Sequence, residues 1–205
     1  MLCGDVNFRK IHRHLILIKD ERTINDLKPR INFPQNCDSL LMFCYIDNEV
    51  GLTFDFLCPY NSRENVYYER NMKELRQIYR KGFFNNCEIE VIPDNILKSE
   101  NLINYINSII DNYENDENKI FTRKIQELDH LRENDYPDDI LVYLYKEGLN
   151  TERVWVRLTK VENGKLFGLL QNEPNGNFGI HLFNEIKIEI FKDEEGKANT
   201  IYICE

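Results

Sequence analysis

No stretch of this 205-residue chain is apolar for long enough to cross a bilayer. Its longest aliphatic run is Leu15-Ile16-Leu17-Ile18, against the roughly 20 residues a spanning helix needs. The N-terminus lacks the basic start, apolar stretch and small-residue cleavage site of a secretory leader. A cytoplasmic protein that makes no membrane contact is the expectation. Cys3, Cys37, Cys44, Cys58, Cys87 and Cys204 form no C-x-x-C pair, so the usual zinc and dithiol signatures are missing. Most of them lie in or beside apolar runs, where a thiol acts as a small hydrophobe. Reduced, structural cysteines are expected. Also missing are a P-loop, a G-x-G-x-x-G turn and a G-x-S-x-G elbow. No cofactor is implied.

Positive charge is scarce and unclustered. The chain holds 26 Lys and Arg against 35 Asp and Glu, a net charge of −9. A nucleic-acid face needs grouped cations, so none is expected. The acidic excess is concentrated, with ten acids and four bases in residues 111–139. A segment of that kind reads first as a solvated helical linker. It also suits a basic protein partner, whose encounter it would speed.

What the chain does have is periodicity. Leu15 to Ile18 reads as a strand. Asp20 or Thr23 can cap a short helix to Leu27, which Pro29 ends. Leu40–Ile46 and Leu52–Leu57 flank Asp47-Asn48-Glu49 as a hairpin, and Pro59 breaks the pattern. Asn61 or Ser62 with Glu64 predicts the start of a long helix. Tyr68, Met72, Leu75 and Tyr79 would line one of its faces, and Gly82 would cap it. Cys87–Ile92 reads as a strand. Leu102, Ile106, Ile109 and Tyr113 mark another helix face, which Ser99 would cap. This order predicts a ferredoxin-like split βαβ sandwich over residues 1–113, with both helices on one face of the sheet. An acidic helical linker over 114–138 comes next. Its helix spans 119–134 and turns Phe121, Ile125, Leu128 and Arg132 to one side.

From 139 to 205 every signal is β. Ile140–Tyr145 is apolar, and Val154, Val156 and Leu158 alternate with Trp155, Arg157 and Thr159. Asn163-Gly164 is a type I′ hairpin turn. Leu166–Gln171, Glu185–Phe191 and Thr200–Cys204 complete five strands. The class is therefore α+β, with a small antiparallel β-barrel or bent sheet at the C-terminal end. Gly168 inside a strand predicts a bulge or a close backbone approach. Trp155 is expected to fill the barrel core, with a contact anchor as the alternative.

One segment carries a likeness. Glu152-Arg153-Val154-Trp155-Val156, then Val161, Gly164, Gly168, Leu170, Asn172 and Pro174, then the strand Ile186–Ile190, resembles the bacterial family called domain of unknown function 2314, or YegJ-like. The likeness covers roughly residues 138–192. It departs at Phe183-Asn184-Glu185, where the family pattern has Gly-Asp before the last strand. Relatives of this kind look like accessory or immunity components of toxin loci. The resemblance brings no catalytic residues.

Candidate chemistry is thin. His12 and His14 would share a strand face as an H-x-H pair, but no acid or Cys at ligand spacing completes a metal site. His181 lies close in sequence to Asn172 and Glu173. The leading expectation is a non-enzymatic binding protein, immunity or antitoxin-like, that covers a basic toxin or similar protein partner. Its contact residues would be Asp116, Glu117, Glu133, Asp135, Asp138 and Trp155. The alternatives are a structural or regulatory module of a bacterial assembly, and a small hydrolase or transferase with an inter-domain site.

Overall fold

A computed structural model describes residues 1–69 and 76–204. It is mixed α and β and divides into two compact units, Met1–Asn115 and Asp116–Glu205. The acidic segment from Asp116 on belongs to the second unit. Its helix packs on a barrel strand there and does not stand apart as a linker.

The first unit is built on one antiparallel sheet. Its strands are β1 (Leu15–Ile18), β2 (Ser39–Asp47), β3 (Gly51–Asn61), β4 (Val66–Tyr67), β5 (Ile78–Arg80) and β6 (Ile89–Ile92). The order is β4-β3-β2-β1-β6, and β5 also pairs β3. A split βαβ needs a strand inserted between parallel neighbours. Here β1 pairs β2 directly and antiparallel, with Leu15 opposite Phe43, so the ferredoxin-like arrangement is corrected. The predicted placement of both helices on one face is corrected too. Helix α1 (Glu21–Leu27), capped by Asp20, covers one face with Ile24 and Leu27. Helix α2 (Glu100–Tyr113), capped by Ser99, covers the other with Leu102 and Ile109. The reason lies in β2, where every residue from Leu40 to Ile46 is apolar and buried. A strand without polar alternation needs cover on both sides.

The long helix predicted from Asn61 is not formed at the residues described. Asn61 Oδ1 does accept the N–H groups of Arg63 and Glu64, at 3.0 and 3.1 Å. These are the bonds of a helix N-cap, but they are equally those of an Asx turn. Asn65, at φ +55°, then reverses the chain into β4. Residues 76–80 lead into β5, while Met72 and Leu75 lie outside the described residues. Strand β3 continues through Pro59 to Asn61, four residues beyond the expected end.

The second unit opens with helix α3 (Glu117–Arg123), then a 3-10 turn at Gln126–Leu131. The switch to 3-10 geometry shifts the phase of the predicted face. Leu128 is buried, while Phe121 is 54% exposed. Strands β7 (Asp139–Tyr145), β8 (Glu152–Glu162), β9 (Lys165–Leu170), β10 (Glu185–Lys192) and β11 (Ala198–Ile203) close a barrel. Neighbours in sequence pair antiparallel, and β11 pairs β7 in parallel. Five strands that alternate in direction must close this way, since the first and last then run together. The barrel expected to be wholly antiparallel therefore has one parallel seam.

Inside the barrel are Ile140, Val142, Leu144, Val154, Val156, Leu158, Leu166, Leu170, Ile186 and Ile188. Two-residue alternation places Trp155, between Val154 and Val156, on the outer surface, where it is half-buried. Trp155 does not fill the core. Asn163 and Gly164 take φ +50° and +74°, as the hairpin turn requires. A Cβ at Gly168 would stand 2.6 Å from the Arg157 carbonyl oxygen and 2.6 Å from Val156 Cγ1. The register of β8 shifts opposite it, between Leu158 and Lys160. All six cysteines are free thiols, and every one except Cys87 is buried. No helix among the described residues is long and apolar enough to cross a membrane.

Candidate functional site

Most of the acids expected to meet a partner are occupied within the fold. Asp116 caps α3, where its Oδ1 accepts the N–H groups of Asn118 and Lys119. Glu133 Oε2 accepts those of Asp135 and Tyr136, both at 2.7 Å, and so closes the turn before β7. Asp135 is half-buried in that turn. Asp138 is buried and holds Arg123 in a bidentate pair, with both bonds at 2.7 Å. Asp138 is therefore removed from the contact set, because its charge is already met inside. Asp139 repeats the arrangement with Arg157 at 2.7 and 2.9 Å. Arg132 reaches Asp129 and the carbonyls of Pro137 and Thr122. The excess charge of this segment thus fastens α3 and the following turn to the barrel.

Glu117 is the exposed one of the six. It stands beside a groove of about 540 Å3 between α3 and the β8–β9 turn. Ile120, Phe121 and Lys124 form one wall; Val161, Asn163 and Gly164 form the other. Glu162, on the same turn, is exposed. The groove therefore joins a large uncovered ring to one acid, Glu117, and one base, Lys124. Asp116 and Glu117 sit at the far end of α3 from Arg123 and Asp138, about 10 Å away by helical rise. Of the six predicted residues, Glu117 is exposed, Asp138 is buried and the other four are half-buried.

The residues of the family-like pattern hold a loop. Glu152 accepts the N–H groups of Asn175 and Gly176 at 2.8 and 2.6 Å. Asn172 Oδ1 accepts the Trp155 N–H at 2.7 Å. His181 Nδ1 lies 2.6 Å from Glu173 Oε1 on an exposed loop. Glu173 is held below the usual carboxylate range by the Leu182 N–H and by His181.

Two buried carboxylates in the first unit were not anticipated. Glu114 follows α2 and is 2% exposed. It takes His12 Nε2 at 2.5 Å, Arg13 Nε, and the Ile46 N–H at 2.9 Å. Burial pushes its carboxyl up, but these partners outweigh burial and hold it down at about 2. His12 therefore turns toward Glu114 from a turn before β1, and the H-x-H strand pair is not formed. Asp55 on β3 is fully buried and binds Arg76 Nε and the Tyr105 hydroxyl, each at 3.1 Å. Burial, and then the charge of Asp55, pushes the Tyr105 phenol up to about 12. The Tyr45 hydroxyl on this side has no hydrogen-bond partner among the described residues. Both clusters join separate segments of the first unit: Glu114 holds His12, Arg13 and Ile46, and Asp55 holds Arg76 and Tyr105. One signal was available in the sequence: an Asp within Thr53-Phe54-Asp55-Phe56-Leu57 must find partners if that strand is buried.

Among the described residues no group of three or more His, Cys, Asp or Glu is placed to hold a metal ion. No family model matches this chain, and no curated protein or solved structure matches it at a significant level. The likeness to the YegJ-like family rests on the residues quoted for it.

Proposed function

We propose that this chain is a non-enzymatic binding protein, of immunity or antitoxin type, that covers a basic partner protein through the α3 groove. The observation that carries the proposal is Phe121, 54% exposed beside a groove that Glu117 also lines. An exposed aromatic anchor matches the aromatic enrichment of protein contact surfaces. Charge supports the choice of partner. The second unit carries 18 acids against 12 bases, and a basic surface would be drawn to it.

The test is affinity capture from the native host with the full chain, beside Phe121→Glu and Glu117→Lys variants. A basic protein should be retained by the wild type. Its retention should fall about tenfold with Phe121→Glu, the loss of one anchor. Glu117→Lys should slow association and flatten its salt dependence. Equal capture by wild type and Phe121→Glu would sink the proposal, as would the lack of any basic protein among those retained.

A further inference from the structure

A second cavity lies in the barrel wall. Strand β10 changes partner midway, with Glu185–Ile188 pairing β9 and Glu189–Lys192 pairing β11. Past Ile201, β11 is held by β7 through Tyr202 and Ile203. The wall is therefore open between the start of β10 and the end of β11. The cavity there measures about 470 Å3, within the roughly 300–1,000 Å3 of small-molecule sites. Phe178, Ile180 and Cys204 give it an apolar lining, and Tyr202 adds an aromatic ring. Burial pushes the Cys204 thiol up, so it remains uncharged.

Two cations reach this cavity, Lys146 and Lys187. Neither forms an ion pair among the described residues, and Lys146 Nζ makes one long bond, 3.4 Å, to the Phe178 carbonyl. The acid at the cavity, Glu189, is bound to Lys165 at 2.8 Å. Lys187 acts on Glu189 as well, and Lys165 and Lys187 together hold its carboxyl below the usual range. A mixed lining, with apolar side chains beside two ammonium groups, suits an acid carried on an apolar body.

We propose that this opening binds a small organic anion, a carboxylate or sulfonate on an apolar body, with Lys146 and Lys187 holding the acid and Phe178 and Ile180 the body. The site is separate from the α3 groove and shares no residue with it.

The test is a fluorescence titration of the full chain with anilinonaphthalene sulfonate and with phenylnaphthylamine, the same rings without the acid. The sulfonate should saturate one site and bind about tenfold tighter than the neutral probe, as a charge-assisted contact implies. Lys146→Glu and Lys187→Glu should each weaken the sulfonate about tenfold and leave the neutral probe within about twofold. Decanoate should displace the sulfonate and decanol should not. Phe121→Glu should change nothing, which separates this outcome from failure of the docking groove. The proposal is overturned if the sulfonate does not saturate, if both lysine variants bind it like wild type, or if Phe121→Glu alone abolishes binding. Thermal melts of each variant guard against misfolding, and a folded lysine variant that keeps full affinity counts against the site.

Discussion

Single residues decide several local outcomes, and Gly168 is the sharpest case. A methyl group there would press on the Arg157 backbone, which cannot yield without breaking the β8–β9 ladder. Overpacking of this kind costs about 1–3 kcal/mol. Gly168→Ala should therefore lower the urea midpoint of the second unit with little change in slope. An unchanged midpoint would mean that the bulge at Thr159 absorbs the methyl. The demand for Gly at this position was legible, since a glycine inside a strand pattern signals close approach. Its partner was not: the two-residue turn fixes the register out to Lys160, but the shift between Leu158 and Lys160 sets Leu158 opposite Gly168. Asn61 shows the opposite limit. Its side chain makes the expected bonds, but a helix cap and an Asx turn use the same ones. The path of the chain past Glu64 is set by contacts outside the turn, where Val66 and Tyr67 pair with β3.

At the scale of elements, buried acids tie helices α2 and α3 to their sheets. Arg123 on α3 is paired to Asp138, just before β7, and Tyr105 on α2 to Asp55 on β3. Glu114, just past α2, binds the turn before β1 and the edge of β2. The acid response follows from its sign. The folded carboxyl is depressed from 4.5 to about 2, so its contribution is fully present above about pH 4.5 and is lost as pH falls toward 2. Glu114→Gln should cost about 2 kcal/mol at pH 7, less than a fully enclosed pair because water screens Arg13. The variant should also flatten the pH dependence of stability between about pH 4.5 and 2. Urea melts of both proteins across that range check this, and parallel curves would show that other carboxylates dominate. Composition located the acidic excess. The partners of these acids come from distant points of the chain, so spacing did not show that they were spent.

For the whole molecule, the two units have separate cores. The apolar clusters of the first draw on residues up to Tyr113, and that of the second on residues from Ile125. Trp155 is the one Trp and belongs to the second unit. Its fluorescence therefore follows that unit, while far-ultraviolet circular dichroism follows both. Glu114→Gln should move the dichroism melt and leave the Trp155 melt in place. Asp138→Asn should move the Trp155 melt down, by about 3 kcal/mol for a broken buried pair. Coincident shifts by both probes in both variants would show one cooperative molecule instead.

Sequence alone determined the α+β class, the thiol-rich apolar interior, helices α1 and α2 with their caps, and the five strands of the second unit. Each rests on a local cause: a period of two or 3.6, a capping side chain, or a turn that requires positive φ. Trp155 did not belong to this group: it was expected in the core, and the structure sets it on the outer face between the inward Val154 and Val156. Tertiary structure decided the rest. Cover on both sides of β2 set the first sheet's layers, and the odd number of strands imposed a parallel seam on the barrel. Pairing with Arg123, Arg132 and Arg157 turned an acidic stretch into a set of internal ties. Two open surfaces carry the proposals, the groove at Phe121 and Glu117 and the gap by Lys146 and Lys187. Both are formed by residues far apart in the chain, which no local pattern brings together.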